Sequence, residues 1–461
     1  MFATQAAKNQ WQSRKRLGGG KVQVKDVHHV RVYYNDQMFG GHPNRGGIWN
    51  FGDGEIAVAC LVKEVKYGEV EPHGYEIGRR SGVVLCRSLD NGETWHESEQ
   101  KYIWHNDHSI DEILDWLKPV ADKQREQIDM MKPDSIIHFM IGDYLRWPLG
   151  SSWVAAQQGA ATPNAAERYQ AGVRKRSPSF AWRSADRGRT WERHPTRIEG
   201  PSGVDPRDED GGFLTANLGY VKFDNGVLGI VGSTVFYGHN IVCFYVSYDN
   251  GLNWRFASEV ARVPNAPNTD YRYSYLGVHR LPDGRLICSM HRMPENYPLV
   301  AFSDDDGMTW TEPKPIVSPG TYALPLTGPE PEQVLADRDP SMGERGVQEQ
   351  TWIGLSGGYR SPVAYVARDG RIIVLIARRG YPSRGGRGII GVMSKDLGQT
   401  WSEEFVIRGD AYTGDCGYPV ITELENGRFF TAYYITSKEG DKPVRDSEAV
   451  RYVAGTFFSL E

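Results

Sequence analysis

The stretch SLDNGETW at Ser88–Trp95 decides how this chain is read, because it comes back four more times. The copies are SADRGRTW at Ser184–Trp191, SYDNGLNW at Ser247–Trp254, SDDDGMTW at Ser303–Trp310 and SKDLGQTW at Ser394–Trp401. Only Asn253, standing in the place of Thr, departs from the pattern Ser-x-Asp-x-Gly-x-Thr-Trp. An Asp side chain bends a short turn by accepting bonds from nearby backbone amides, and Gly permits a positive φ. The Trp gives each turn a large apolar anchor. Five dispersed copies of one turn imply a repeat architecture.

A second repeat runs beside the first. Short apolar segments meet at Asp53-Gly54, Asn225-Gly226, Asp283-Gly284, Asp369-Gly370 and Asn426-Gly427. Such dipeptides between alternating segments are the strongest short hairpin signals. The unit is therefore strand, hairpin, strand, loop, strand, signature turn, strand, which is one four-stranded antiparallel blade. Blade one uses GEIAVACLV and SGVVLCRS, blade two IIHFMIGD and SFAWRS, and blade three LGYVKF, VLGIVGS and IVCFYVS. Blade four uses YLGVHRL, RLICSMH and LVAFS, and blade five VAYVA, RIIVLIA and GIIGVMS. The tail GYPVITEL, RFFTAYYI and YVAGTFF makes a sixth, whose sheet the N-terminal HHVRVYY would complete. Closing the ring hides edges that a linear stack of sheets would expose. The expected fold is an all-β, six-bladed β-propeller spanning residues 1–461 as a single domain.

One segment breaks the spacing. SIDEILDWLKPVADKQREQIDMM carries Ile110, Ile113, Leu114 and Leu117 at helical intervals, with Asp111 and Glu112 near its start. A helical and loop insertion is expected within residues 96–180, in the second blade region.

The bulk numbers narrow the class of partner. A net charge of −5 over 461 residues, with no Lys/Arg block, points away from nucleic acid and from a membrane surface. The five cysteines lie mostly inside apolar runs without CxxC spacing, so they read as buried thiols. No His, Asp, Glu or Cys cluster has metal-ligand spacing, and DPRDED at Asp205–Asp210 reads as a solvated acidic loop; no metal and no cofactor are expected. The first residues lack an apolar core, so no signal peptide is expected in this chain, and a cytoplasmic location is favoured over a secreted one.

Blade topology places the site. Hairpins between first and second strands share a face with the signature turns, so that face is structural. The opposite face collects residues before first strands and after second strands, around a central funnel. Before first strands stand His42 and Arg45, Arg272 and Tyr275, Tyr359 and Arg360, and Asp415 and Tyr418. After second strands stand Glu64 and His73, Tyr237 and His239, and His291 and Arg292. Arg378, Arg379, Arg384 and Arg387 follow in blade five, and Tyr433 and Tyr434 in blade six. So many arginines on one rim of an acidic chain point to an anion, because guanidinium grips carboxylates bidentately.

The five signature turns resemble the Asp-boxes, or bacterial neuraminidase repeats, of the sialidase superfamily, and the resemblance covers nearly the whole chain. It implies an arginine triad for a sugar carboxylate, a Tyr nucleophile, an assisting Glu and an Asp acid; the Tyr is an exception among glycosidases. GYPVITELENG places Tyr418 in the register of that nucleophile. Arg292 and Arg387 fall near the second and third triad arginines, and Arg45, in HPNRGGIWNFGDG, near the first, without the family's Arg-Ile-Pro motif. Tyr275 occupies the register of the assisting Glu, and the blade-one loop from Glu64 to Ser81 holds His73 and several Glu but no Asp. The resemblance thus implies an exo-glycosidase acting on a carboxylate-bearing sugar of an oligosaccharide or glycoconjugate. The catalytic candidates are Tyr418, Tyr275, His73 and Glu64. The binding candidates are Arg45, Arg272, Arg292, Arg360, Arg387, Tyr237, His239 and His291. Two alternatives stay open: a uronic-acid polysaccharide lyase using Tyr and His, and a non-catalytic carbohydrate-binding propeller.

Overall fold

The structure, a computed structural model, describes residues 18–68, 81–105, 112, 115–116, 118, 120–141, 179–198, 200, 215–216, 219–236, 239–263, 272–293, 297–317, 359–379, 387–436 and 448–461. Six antiparallel sheets are arranged as the blades of a β-propeller. Blade one sets Met38–Gly41 and Gly47–Asn50 beside Ile56–Glu64, followed by Ser81–Ser88 and Lys101–His105. Blade two shows Ile136–Ile141, Ser179–Ser184 and Thr196–Ile198. In blade three, Thr215–Ala216 and Val221–Lys222 both pair with Leu228–Phe236, and His239–Ser247 and Arg255–Val263 follow. Blade four runs Arg272–Arg280, Leu286–Met293, Tyr297–Ser303 and Lys314–Pro315. Blade five runs Tyr359–Val366, Ile372–Arg378, Gly388–Ser394 and Phe405–Arg408.

Blade six contains Gly417–Glu423, Phe429–Thr436 and Arg451–Leu460, and its outermost place is taken by Val24–Tyr33 from the other end of the chain. Val24 lies opposite Leu460 and Tyr33 opposite Val453, so the expected closure is present. Strands such as Ile372–Arg378 are unbroken apolar runs because each blade is packed on both faces, and Ile372 through Ala377 are buried. The largest apolar cluster joins blades five, six and one and holds Phe429, Phe430, Phe457 and Phe458.

All five signature turns share one bonding scheme. The Ser hydroxyl donates to Asp Oδ1 at 2.7–2.8 Å and accepts from the Gly amide at 2.8–2.9 Å. The Thr amide also donates to Asp Oδ1, at 2.8–2.9 Å, with the Asn253 amide doing the same in the third copy. The Thr hydroxyl donates to Asp Oδ2, and in the divergent copy the Asn253 Nδ2 donates there instead, at 2.8 Å. Asn substitutes for Thr because it supplies a donor of similar reach. Positive φ falls on the Gly and also on the residue before it, Asn91, Arg187, Asn250, Asp306 or Leu397.

Three of the signature Trp rings meet an aromatic ring of the preceding blade. Trp95 stacks on Phe430 at 5.8 Å, and Trp254 and Trp310 meet Phe139 and Phe244 edge-on at 5.7 Å. The glycine is pinned there too: a Cβ on Gly307 would lie 2.4 Å from Phe244 and one on Gly398 2.3 Å from Phe302. The turn is thus an inter-blade staple as well as a chain reversal.

Signature turns and hairpins share one face, as expected. The Asn91 amide donates to the Gly54 carbonyl at 2.7 Å, and Arg285 Nη2 reaches the Leu397 carbonyl at 3.2 Å. In the hairpins only the Gly takes positive φ, while the Asx side chain accepts the amide two residues on, as Asp283 does from Arg285 at 3.1 Å. The expected insertion is only partly among the described residues. Glu112, Asp115 and Trp116 are helical, Asp122–Gln124 forms one 3-10 turn, and residues 142–178 lie outside them. All five cysteines are buried and unpaired.

Candidate functional site

The innermost strands contain a second structural repeat. His42, Tyr275, Ser361 and Tyr418 have φ of 51°, 53°, 51° and 54°, each at the same stage of its blade. In blades four, five and six the ladder slips there, between Ser274 and Gly277, Arg360 and Val363, and Gly417 and Val420. In blade one the break lies between Met38–Gly41 and Gly47–Asn50, where His42 precedes the short helix Pro43–Gly46. A bulge inserts an unpaired residue and re-aims its side chain. Proline follows in three of the four, at Pro43, Pro362 and Pro419. Lacking an N–H, Pro leaves no ladder donor unmet at a bulge. Gly-His-Pro, Arg-Ser-Pro and Gly-Tyr-Pro inside strands were therefore the sequence signal for these positions.

The bulges bring together side chains from distant parts of the chain. The Tyr275 and Tyr418 hydroxyls lie 2.8 Å apart, with ring centroids 5.1 Å apart and nearly perpendicular. They come from blades four and six. Blade five, between them, carries only Ser361 at the equivalent place, which leaves room for the two phenols to meet. The His42 ring lies 4.2 Å from that of Tyr418, and the His291 ring 5.5 Å from that of Tyr275. Tyr418 is 7% exposed and His42 6%.

Behind Tyr418 runs a polar chain. The Arg379 guanidinium lies over the Tyr418 ring at 5.5 Å and over the Tyr434 ring at 5.9 Å. Its Nε donates to the Cys416 carbonyl at 2.8 Å and its Nη2 to the Tyr434 hydroxyl at 2.7 Å. The Tyr434 hydroxyl in turn donates to Asp415 Oδ1, and Arg451 Nε donates to Asp415 Oδ2 at 2.9 Å. Burial holds the Tyr434 phenol well above its usual range; Arg379 opposes that shift and Asp415 adds to it. Burial works against the charge on Arg379, but the two tyrosines and Asp415 outweigh it and raise its pKa. Arg451 opens the last strand, opposite Thr436, and no local pattern marked it.

The remaining expected residues are placed unevenly. Arg292 lies over the Tyr273 ring at 5.2 Å. Arg387 donates to the Tyr412 carbonyl at 3.2 Å. Arg360 Nε is buried with no hydrogen bond among the described residues. His291 is fully buried, and its Nε2 donates to the Tyr359 carbonyl at 2.9 Å. Glu64 ends its strand exposed to solvent. Arg45, Arg272 and His239 are described by their backbones alone, while His73, Tyr237 and the Asp205–Asp210 loop lie outside the described residues. Tyr433 turns away from Tyr434, its hydroxyl 2.6 Å from Thr456 Oγ1, because successive strand residues face opposite sides. Among the described residues, no group of three or more His, Cys, Asp or Glu is placed to hold a metal.

No protein-family model matches the chain, and no curated protein matches it. Solved structures do resemble it. A protein of unknown function from Dyadobacter fermentans DSM 18053 matches with a TM-score of 0.57 at 16% identity, over 95% of this chain and 99% of that one. A Hadza microbial sialidase matches with a TM-score of 0.51 at 16% identity, over 94% of this chain and 68% of that one. At such identity the similarity is one of fold, and it agrees with the six-bladed propeller.

Proposed function

We propose that this chain is an exo-acting glycosidase similar to sialidases, working on a sugar that bears a carboxylate. Tyr418 acts as nucleophile or base, and Tyr275 exchanges its proton. The observation that carries this reading is the 2.8 Å contact between the two hydroxyls, made by residues at strained positive-φ positions of two different blades. Strain of this kind persists where the surrounding structure enforces it, and it clusters at active sites. Phe at either position would pack a propeller centre as well, so the hydroxyls call for a chemical reason. Further support comes from the fold shared with a protein named as a sialidase and from five turns of Asp-box pattern. Arg292, Arg360 and Arg387, with Arg45 and Arg272 on the same strand ends, would hold the carboxylate, near Tyr237 and His239. His73 or Glu64, from the blade-one loop, would serve as the acid.

A second reading, a uronic-acid lyase, is favoured by the partner of Tyr418 being a phenol. A phenol near pKa ~10 is better matched than a carboxylate near ~4 to taking a proton from carbon. Incubation with sialosides, glucuronides and polyuronides, followed by mass and ultraviolet analysis, separates the readings. Hydrolysis adds the mass of water to the products, whereas elimination adds none and creates an absorbing unsaturated sugar. Acidic-sugar binding without turnover would leave a carbohydrate-binding propeller, and neither binding nor turnover would remove the proposal.

A further inference from the structure

Polar side chains cross the blade junctions at one repeated place. The Asn240 side chain of blade three accepts the Tyr273 amide of blade four at 2.8 Å. From blade four, His291 Nε2 donates to the Tyr359 carbonyl of blade five at 2.9 Å. From blade five, Arg379 Nε donates to the Cys416 carbonyl of blade six at 2.8 Å. Tyr273, Tyr359 and Cys416 each stand two positions before a positive-φ residue, Tyr275, Ser361 or Tyr418. Asn240 and His291 are buried. His291 also holds the near side of its junction: its Nδ1 lies 3.4 Å from Oγ of Ser274, the residue before Tyr275.

A bulge interrupts the ladder, so pairing within a blade does not fix where the bulged residue sits relative to the next blade. Apolar packing between blades is non-directional and does not fix it either. The contact between the Tyr275 and Tyr418 hydroxyls is 2.8 Å long, and it would cease to be a hydrogen bond beyond about 3.5 Å. It spans two junctions, from blade four to five and from five to six, and His291 and Arg379 each cross one of them. We propose that His291 and Arg379 are positioning residues, which set the separation of the two phenols by tying the backbone before the bulges of blades five and six to the preceding blade. The pair is taken as the seat of the chemistry proposed above, and the two side chains act on it through the backbone.

Glutamine separates the bond from everything else these side chains do. Its Nε2 lies as many bonds from the backbone as His Nε2 and Arg Nε. His291→Gln and Arg379→Gln therefore keep a donor for the carbonyl, whereas His291→Leu and Arg379→Leu remove it. Asp249→Ala, in a signature turn, lowers stability away from the pair and serves as the control. Crystal structures of the full-length variants give the separation of the two hydroxyls with no substrate present. It should stay near 2.8 Å in both Gln variants and in the control, and exceed ~3.5 Å in both Leu variants. With an acidic glycoside that the parent turns over, kcat should fall by about 10–100-fold in the Leu variants while KM stays within about threefold. The Gln variants should return kcat to within about threefold of the parent. A pair still at 2.8 Å in the Leu variants, whatever their melting temperature, would overturn the positioning role and leave the proposed chemistry standing. Absence of turnover in the parent would remove that chemistry, while the separations still decide the positioning. If a Leu variant does not fold, His291→Asn or Arg379→Asn, whose donor sits one bond short of the carbonyl, takes its place. Equal widening in the Gln and Leu variants counts against the proposal.

Discussion

Tyr418 holds a φ of 54° while almost fully buried, and a bulky residue in that region costs about 1–2 kcal/mol. Tyr275 carries the same penalty, and the two hydroxyls lie within hydrogen-bond distance of each other. Replacing Tyr418 with Phe keeps the ring against His42 and removes one hydroxyl. Turnover of an acidic glycoside should fall by at least ~10²-fold, with substrate affinity and melting temperature little changed. Turnover within a few-fold of the parent would assign Tyr418 to packing. Sequence alone put Tyr418 and Tyr275 on one rim through blade register. It did not bring their oxygens together, because that depends on two bulges and on the small Ser361 between them. Arg379 was one of four rim arginines with nothing local to single it out. Its bonds to Cys416 and Tyr434 do so, and they exist only once blades five and six are side by side.

At the level of the element, the signature turn couples stability to pH. In Asp90, Asp186, Asp249 and Asp396 burial opposes ionisation, but bonds from the Thr or Asn side chain, the Ser hydroxyl and backbone amides outweigh it. Each folded-state carboxyl therefore lies below its usual range. The stabilisation from a depressed carboxyl is complete above the unfolded value near pH ~4 and is lost as pH falls through the folded value. Asp249→Ala should cost about 1–3 kcal/mol at neutral pH, and the gap between variant and parent should narrow below pH ~3. Urea unfolding at both pH values measures this. An equal penalty at both would mean that turn geometry, and not the ionised carboxylate, is what Asp249 supplies. The bonding inside this turn was legible because donor and acceptor lie within four residues. Its reach to the preceding blade was not, since Phe244 stands 66 residue numbers before Trp310 and only the ring brings them together.

For the molecule as a whole, the decisive contact joins the two ends of the chain. Val24–Tyr33 covers the outer edge of Arg451–Leu460, and the Gly19 amide donates to the Trp401 carbonyl at 3.2 Å, tying the same segment to blade five. Removing residues 1–34 would uncover a long apolar edge strand, which is a template for association. The truncated chain should run as soluble oligomers or aggregates in size exclusion with light scattering, and melt lower than the parent. A truncated chain that stays monodisperse at an unchanged melting temperature would show that the ring does not depend on this closure. By itself the sequence determined the blade count, the closing strand and the structural face. Each of these follows from short-range turn chemistry and strand alternation, which Asp-x-Gly-x-Thr-Trp and Asn-Gly or Asp-Gly carry within a few residues. Only the tertiary structure decided which rim residues meet. Tyr275 and Tyr418 are 143 positions apart, and the Asp415–Arg451 bond spans 36. Contacts of that span depend on bulge position, on blade twist and on the size of the residue between, and none of these has a signature in the local pattern.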